Sequence, residues 1–149
     1  MLGARLKFLE HRLFKEVLLV KESINGKERV LLCVNASIKR KAKDLIILNV
    51  KELSSFTDYF IICSGTSDRQ VQAIAASIQE ILKEYGILPL GVEGERLGKW
   101  VLMDYEDVII HIFYEPVREF YDIERLWSDA PCMKVGDEVT ELTAIDRGI

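Results

Sequence analysis

Two histidines and three cysteines are all the imidazole and thiol groups that this 149-residue chain offers for metal ligation or thiol chemistry. Cys33, Cys63 and Cys132 are odd in number, lie far apart and form no C-x-x-C pair. Neither a disulfide framework nor a zinc site is therefore expected. His11 and His111 are too few for a histidine-rich metal centre, and no metal or cofactor is expected. No apolar run is long enough to span a bilayer, and the first residues lack the pattern of a cleavable secretory signal. Basic charge is not in excess either. Lys and Arg number 20 against 24 Asp and Glu, a formal charge of −4. That balance argues against a basic surface that wraps nucleic acid, and favours a basic partner. The expectation is a cytoplasmic chain in a reducing compartment, with no membrane association and no sequence-specific nucleic-acid binding.

What the chain does have is an ordinary globular composition at a length suited to one domain with a proper core. Residues 1–25 read as an N-terminal extension of unknown role. "MLGARLKFLEHRLFKEVLLVKES" spaces leucines helically between basic residues, but Glu10, Glu16 and Glu22 weaken a targeting reading. The domain proper is expected over 26–128, and 129–149 reads as a mobile, unpatterned tail. From Lys27, the four-residue spacing of Val30, Val34, Ile38 and Ala42 predicts a helix whose last turn holds Lys39, Arg40, Lys41 and Lys43.

Short β-branched runs predict five strands: "DLIILNV" (44–50), "YFIIC" (59–63), "ILPLGV" (87–92), "WVLMDY" (100–105) and "VIIHIFY" (108–114). Val71, Ile74, Ile78, Ile81 and Leu82 predict a helix from 67 to about 85, with Gly86 as its stop. A crossover helix implies a parallel pair of strands, and the Glu106-Asp107 turn implies a hairpin. The fold class expected is α/β, a mixed five-stranded sheet flanked by helices.

The stretch "YFIICSGTSDRQVQAI" runs from a strand through a Gly-Thr-Ser loop into a helix, the geometry in which backbone amides cradle phosphate. Yet Gly65, Thr66 and Ser67 fit neither a P-loop nor a dinucleotide loop. They fit a capping box, with Ser67 as N-cap and Gln70 reaching back to the cap. A nucleotide-binding or nucleotidyltransferase-like enzyme, using this loop with Asp104 and Asp107, is the rival reading. His111 has no nucleophile paired with it and reads as a core or rim histidine. In "GKWVLMDYEDVIIHIF", alternation places Trp100, Leu102 and Asp104 on one strand face, and Val101, Met103 and Tyr105 on the other. One face must pack on the core. The other then presents large apolar groups beside acidic ones, which suits contact with a basic partner. The pattern alone fits a strand buried on both faces equally well.

Several stretches together, "KAKDLIILNV", "SSFTDYFIICSGTSDRQVQAIA", "PLGVEGERLGKWVLMDYEDVIIHIF" and "VREFYDIERLW", resemble the ribosomal silencing factor family, also called Iojap-related. The resemblance covers about residue 41 to Trp127. It implies a nucleotidyltransferase-like topology without the catalytic signature, and a protein that is not an enzyme. It further implies binding to the large ribosomal subunit at ribosomal protein fourteen, a steric block to subunit joining, repression of translation and a homodimer when free. By the same resemblance, Trp100 and Leu102 are apolar anchors, and Asp104 and Asp107 pair with basic residues. Tyr105, His111, Glu93 and Gly94 are further contact candidates, while Gly65, Thr66, Ser67 and Gln70 form a structural loop and helix cap.

Overall fold

In the computed structural model, which describes residues 24–135 and 142–145, helix α1 (Gly26–Lys39) leads into strands β1 (Lys43–Asn49) and β2 (Tyr59–Gly65). Then follow α2 (Asp68–Glu84), β3 (Gly91–Glu93), β4 (Trp100–Asp104), β5 (Val108–Tyr114), α3 (Glu115–Tyr121), α4 (Ile123–Leu126), β6 (Cys132–Val135) and β7 (Leu142–Ile145). Most of the expected N-terminal extension lies outside the described residues. The strands form one mixed sheet in the order β3-β4-β5-β2-β1-β6-β7. Among the described strands, only β2 and β5 run parallel, in register from Tyr59↔Val108 to Gly65↔Tyr114. The connection between them carries the α2 crossover, as the sequence implies.

Every residue of β2 is buried, because helices cover this central strand on both faces. That is why "YFIICSG" reads as an unbroken apolar run and does not alternate. On one face α1 and α2 pack through Val30, Val34, Ile74, Ile78 and Leu82 onto Ile61, Val101, Met103 and Ile110. On the other, Leu48, Phe60, Ile62, Ile109 and Phe113 form a second core under Val117, Ile123 and Trp127.

Helix α2 follows its sequence signals closely. The Ser67 hydroxyl accepts from the Gln70 amide at 3.1 Å. At the other end Ile87 N donates to Leu82 O and Gly86 N to Lys83 O, with Gly86 at φ +74°, a Schellman stop. One detail differs from a capping box. Gln70 Oε1 accepts from Thr66 N at 2.7 Å and not from the cap residue's own amide. Its Nε2 then donates to Arg40 O and Lys41 O, which ties α2 to the end of α1. Replacing Ser67 by Ala is expected to cost about 1 kcal/mol, read from urea unfolding midpoints.

Three expectations need correction. Helix α1 starts one residue earlier, at a capping box in which Asn25 and Glu28 exchange bonds, and ends at Lys39. A strict four-residue spacing drifts off one face of a 3.6-residue helix, so Ile38 is 51 % exposed and the buried residues are Val30, Cys33, Val34, Ala36 and Ser37. Of the basic cluster, only Lys39 lies in the last turn, and Lys43 opens β1. Strand β3 covers just Gly91–Glu93, since Pro89 keeps the preceding residues out of the ladder.

Among the described residues the sheet also has seven strands and not five. β6 adds antiparallel to β1 through Leu48↔Cys132 and Ile47↔Met133, and β7 pairs with β6. Within the segment read as a mobile, unpatterned tail from 129, Cys132–Val135 and Leu142–Ile145 thus extend the sheet, and Ala130 and Cys132 enter the second core.

Candidate functional site

The two faces of the sheet are covered unequally. Strand β4 alternates as its sequence requires: Val101, Met103 and Tyr105 point into the core beneath α1 and α2. Trp100 and Leu102 remain half-buried on the opposite face. Register places Leu102 between Glu93 on β3 and His111 on β5, all three on that face. Helices α3 and α4 cover the β5–β2 part of this side and leave the β3–β4 edge open. A half-buried strip of Trp100, Leu102 and Asp104, flanked by the exposed Glu93, results.

Trp100 is the pivot of this strip. Its ring stacks on Phe113 at 4.8 Å and meets Tyr121 at 4.9 Å. Its indole Nε1 donates to His111 Nδ1 at 3.1 Å. His111 is 7 % exposed, and burial pulls its pKa down to about 4. It stands as a neutral acceptor that orients Trp100, and its ring meets Phe60 edge-on. The sequence expectation of a core or rim histidine agrees with this placement. As a direct contact it has little surface to offer.

The other expected site residues separate into distinct places. Asp104 ends β4 on the open face, where its Oδ1 accepts from Glu106 N at 2.8 Å and holds the turn. Asp107 turns away. It lines a cavity of about 680 Å³ with Asp58, Tyr59, Lys51 and the start of α1. The two carboxylates therefore do not converge, because Glu106 takes a left-handed conformation at φ +73° and the turn swings the chain over. Tyr105 is 1 % exposed and belongs to the core, which corrects its placing as a contact. Gly94 is architectural. At φ +85° it lets the loop pass so close to Trp100 that a Cβ would sit 2.0 Å from the Trp100 carbonyl oxygen.

Three amides of the Gly65 loop and its following turn are already engaged by side chains. Thr66 N donates to Gln70, Arg69 N to the Asp68 carboxylate at 2.8 Å, and Gln70 N to Ser67. Gly65 is buried, with Val71 3.0 Å from where a Cβ would lie. A phosphate would have to displace these bonds and face Asp68. Burial pushes the Cys63 thiol up to about 12 and that of Cys33 further still, so neither is poised as a nucleophile. Among the described residues, no three His, Cys, Asp or Glu side chains are placed to hold a metal ion. No described helix is long and apolar enough to cross a membrane.

Residues that the sequence reading passed over stand beside the strip. Phe120, Tyr121 and Leu126 on α3–α4 are 81, 52 and 79 % exposed. The signal was present in "VREFYDIERLW", which carries more large apolar residues than two short helices can bury on one side.

Comparison with known proteins adds a separate line of support. A family model described as "Ribosomal silencing factor during starvation" matches residues 23–147. A ribosomal silencing factor of Halalkalibacterium halodurans is 39 % identical over 112 residues, which is 75 % of this chain and 96 % of that protein. One from Bacillus subtilis is 40 % identical over 108 residues, 72 % of this chain and 92 % of that protein. A crystal structure of a Chromobacterium violaceum protein, at 41 % identity, superposes with a TM-score of 0.69 over 70 % of this chain and 87 % of that one.

Proposed function

The chain belongs to the ribosomal silencing factor family, and on that premise we propose that it binds the large ribosomal subunit at ribosomal protein fourteen. There it blocks joining of the small subunit by occupancy and so represses translation. No bond is made or broken. The chain works in the cytoplasm, as a homodimer when free of the ribosome. The observation that carries this reading is the open β3–β4 strip: Trp100 and Leu102 stand half-buried on a rigid sheet, with Glu93 and Asp104 as acidic flanks. Preordered apolar anchors with a charged rim are what specific contact with a basic protein requires. An interface of about 800 Å² per partner is of the size that specific complexes use.

Co-sedimentation with purified large and small ribosomal subunits tests it. The chain is expected to pellet with the large subunit alone. The Glu93→Lys/Asp104→Lys variant is expected to bind at least tenfold more weakly, roughly 1.4 kcal/mol or more. Asp107→Lys, which alters the cavity at the start of α1, is expected to bind as wild type does. A wild-type chain that stays in the supernatant would sink the reading. Equal binding by the Glu93→Lys/Asp104→Lys variant would move the contact to another face.

A further inference from the structure

We infer that the α3–α4 hook is a second docking surface beside the β3–β4 strip, built to take a basic protein segment with Phe120 as its apolar anchor. This inference rests on the ribosomal reading and extends the contact beyond the hairpin.

The hook has an inner side that fixes it and an outer side that does nothing for the fold. Inward, Val117, Ile123 and Trp127 pack on the second core, and Trp127 meets Phe60 edge-on at 4.7 Å. Arg118 Nη1 donates to the buried Ser64 hydroxyl at 2.8 Å, and its Nε is bound by Glu124. Outward, Phe120 and Leu126 are about four-fifths exposed. Phe120 stands edge-on to Tyr121 at 5.1 Å, and Tyr121 leans on Trp100. The outer aromatic groups are thus continuous with the strip already described, and they are held on an ordered base. The ring contacts of Phe120 and Tyr121 lessen the side-chain freedom that these two lose on binding.

Charge selects the occupant. A cavity of about 440 Å³ beside the hook is lined by Asp44, Glu115, Glu119, Asp122 and Glu124, with Arg118 as its one cation. Arg118 is already paired with Glu124, and Lys43 reaches only Glu115, at 3.9 Å. The remaining surplus is negative. Ribosomal RNA would bring phosphates against these carboxylates, and a second copy whose two-fold axis passed beside the hook would set the same acidic cavity against itself. A Lys- or Arg-bearing protein segment meets no such repulsion. Its cations pair with the carboxylates or lie over the Phe120 and Tyr121 rings, while its apolar stems cover Phe120 and Leu126.

The test is binding of the full chain to purified bacterial large subunits across a salt series. Phe120→Ala/Leu126→Ala is expected to weaken binding at least tenfold at one salt concentration. Glu119→Lys is expected to weaken it and to flatten its salt dependence. These positions are exposed, so unchanged thermal midpoints will show that both variants fold. Wild-type affinity and salt slope in both variants, with Glu93→Lys/Asp104→Lys still impaired, would overturn the hook and leave the ribosomal reading standing. A wild-type chain that never binds would remove both. If Phe120→Ala/Leu126→Ala instead changes only the monomer–dimer balance in sedimentation velocity, the occupant is a second copy and the inference fails.

Discussion

Gly94→Ala is expected to destabilise the fold by about 3 kcal/mol or more, from the positive φ together with a clash against fixed backbone. The new methyl would lie 2.0 Å from the Trp100 carbonyl oxygen and 3.0 Å from its carbon. Backbone at the start of β4 cannot step aside as a flexible side chain can. Trp100 is already paired with Phe113 on β5, and Gly98 N donates to Gly94 O across the same loop. The loop must lift, or the first residue of β4 must leave the sheet. Gly86→Ala supplies the comparison. It has a similar φ of +74° but nothing within 4 Å of its added methyl, so about 1 kcal/mol is expected there from conformation alone. Urea midpoints of the two variants separate the contributions. Equal losses would mean that the crowding at Trp100 relaxes freely.

Stability is expected to fall by about 2 kcal/mol on going from pH 7 to pH 5, owing to His111 alone. The folded chain holds this imidazole neutral, with a pKa of about 4, because burial opposes its charge. An unfolded chain protonates it at its ordinary value of about 6.5. The stabilisation is therefore fully present above pH 6.5 and is lost as the pH falls toward 4, where the total reaches about 3 kcal/mol. Protonation would also place a second donor at Nδ1, where the Trp100 indole now donates. Thermal unfolding of wild type and His111→Gln across this range gives the check. The difference between the two curves should slope upward with pH between 4 and 6.5 and be flat above it. A flat difference throughout would show that the folded chain protonates His111 as readily as the unfolded one.

The parts of the fold that were legible are those in which one physical demand acts alone. Helix α2 has an apolar stripe, a hydroxyl cap and a glycine stop, and each signal is local. The burial of β2 on both faces is written in its unbroken apolar run. The alternation of β4 assigned Trp100 and Leu102 to one face and Met103 to the other. Where two demands compete, the reading slips. Ile38 keeps four-residue spacing with Val34, but the helix turns past it and ends. β6 is recruited by the free edge of β1, a demand made by another part of the chain, and four residues carry too little pattern to announce it. Asp107 stands close to Asp104 in sequence, yet with one left-handed residue between them Asp104 accepts from the turn amide while Asp107 lines the cavity at the start of α1. Phe120 and Leu126 look like core residues by type. Only the placement of α3 and α4 reveals that the second core is already full.

The single parallel pairing at the centre of the sheet also bears on how the chain assembles. β2 and β5 are joined through α2, β3 and β4, so their partners lie far apart in sequence. The neighbouring pairs β1–β2 and β4–β5 are antiparallel and join strands adjacent in sequence, across residues 50–58 and 105–107. Loop-closure entropy favours these local hairpins early and leaves the central seam to join them late. Once closed, that seam is buried along nearly its whole length. Its amides can exchange with solvent only when the two halves part, so the slowest-exchanging protons along β2 and β5 report the opening of the whole molecule.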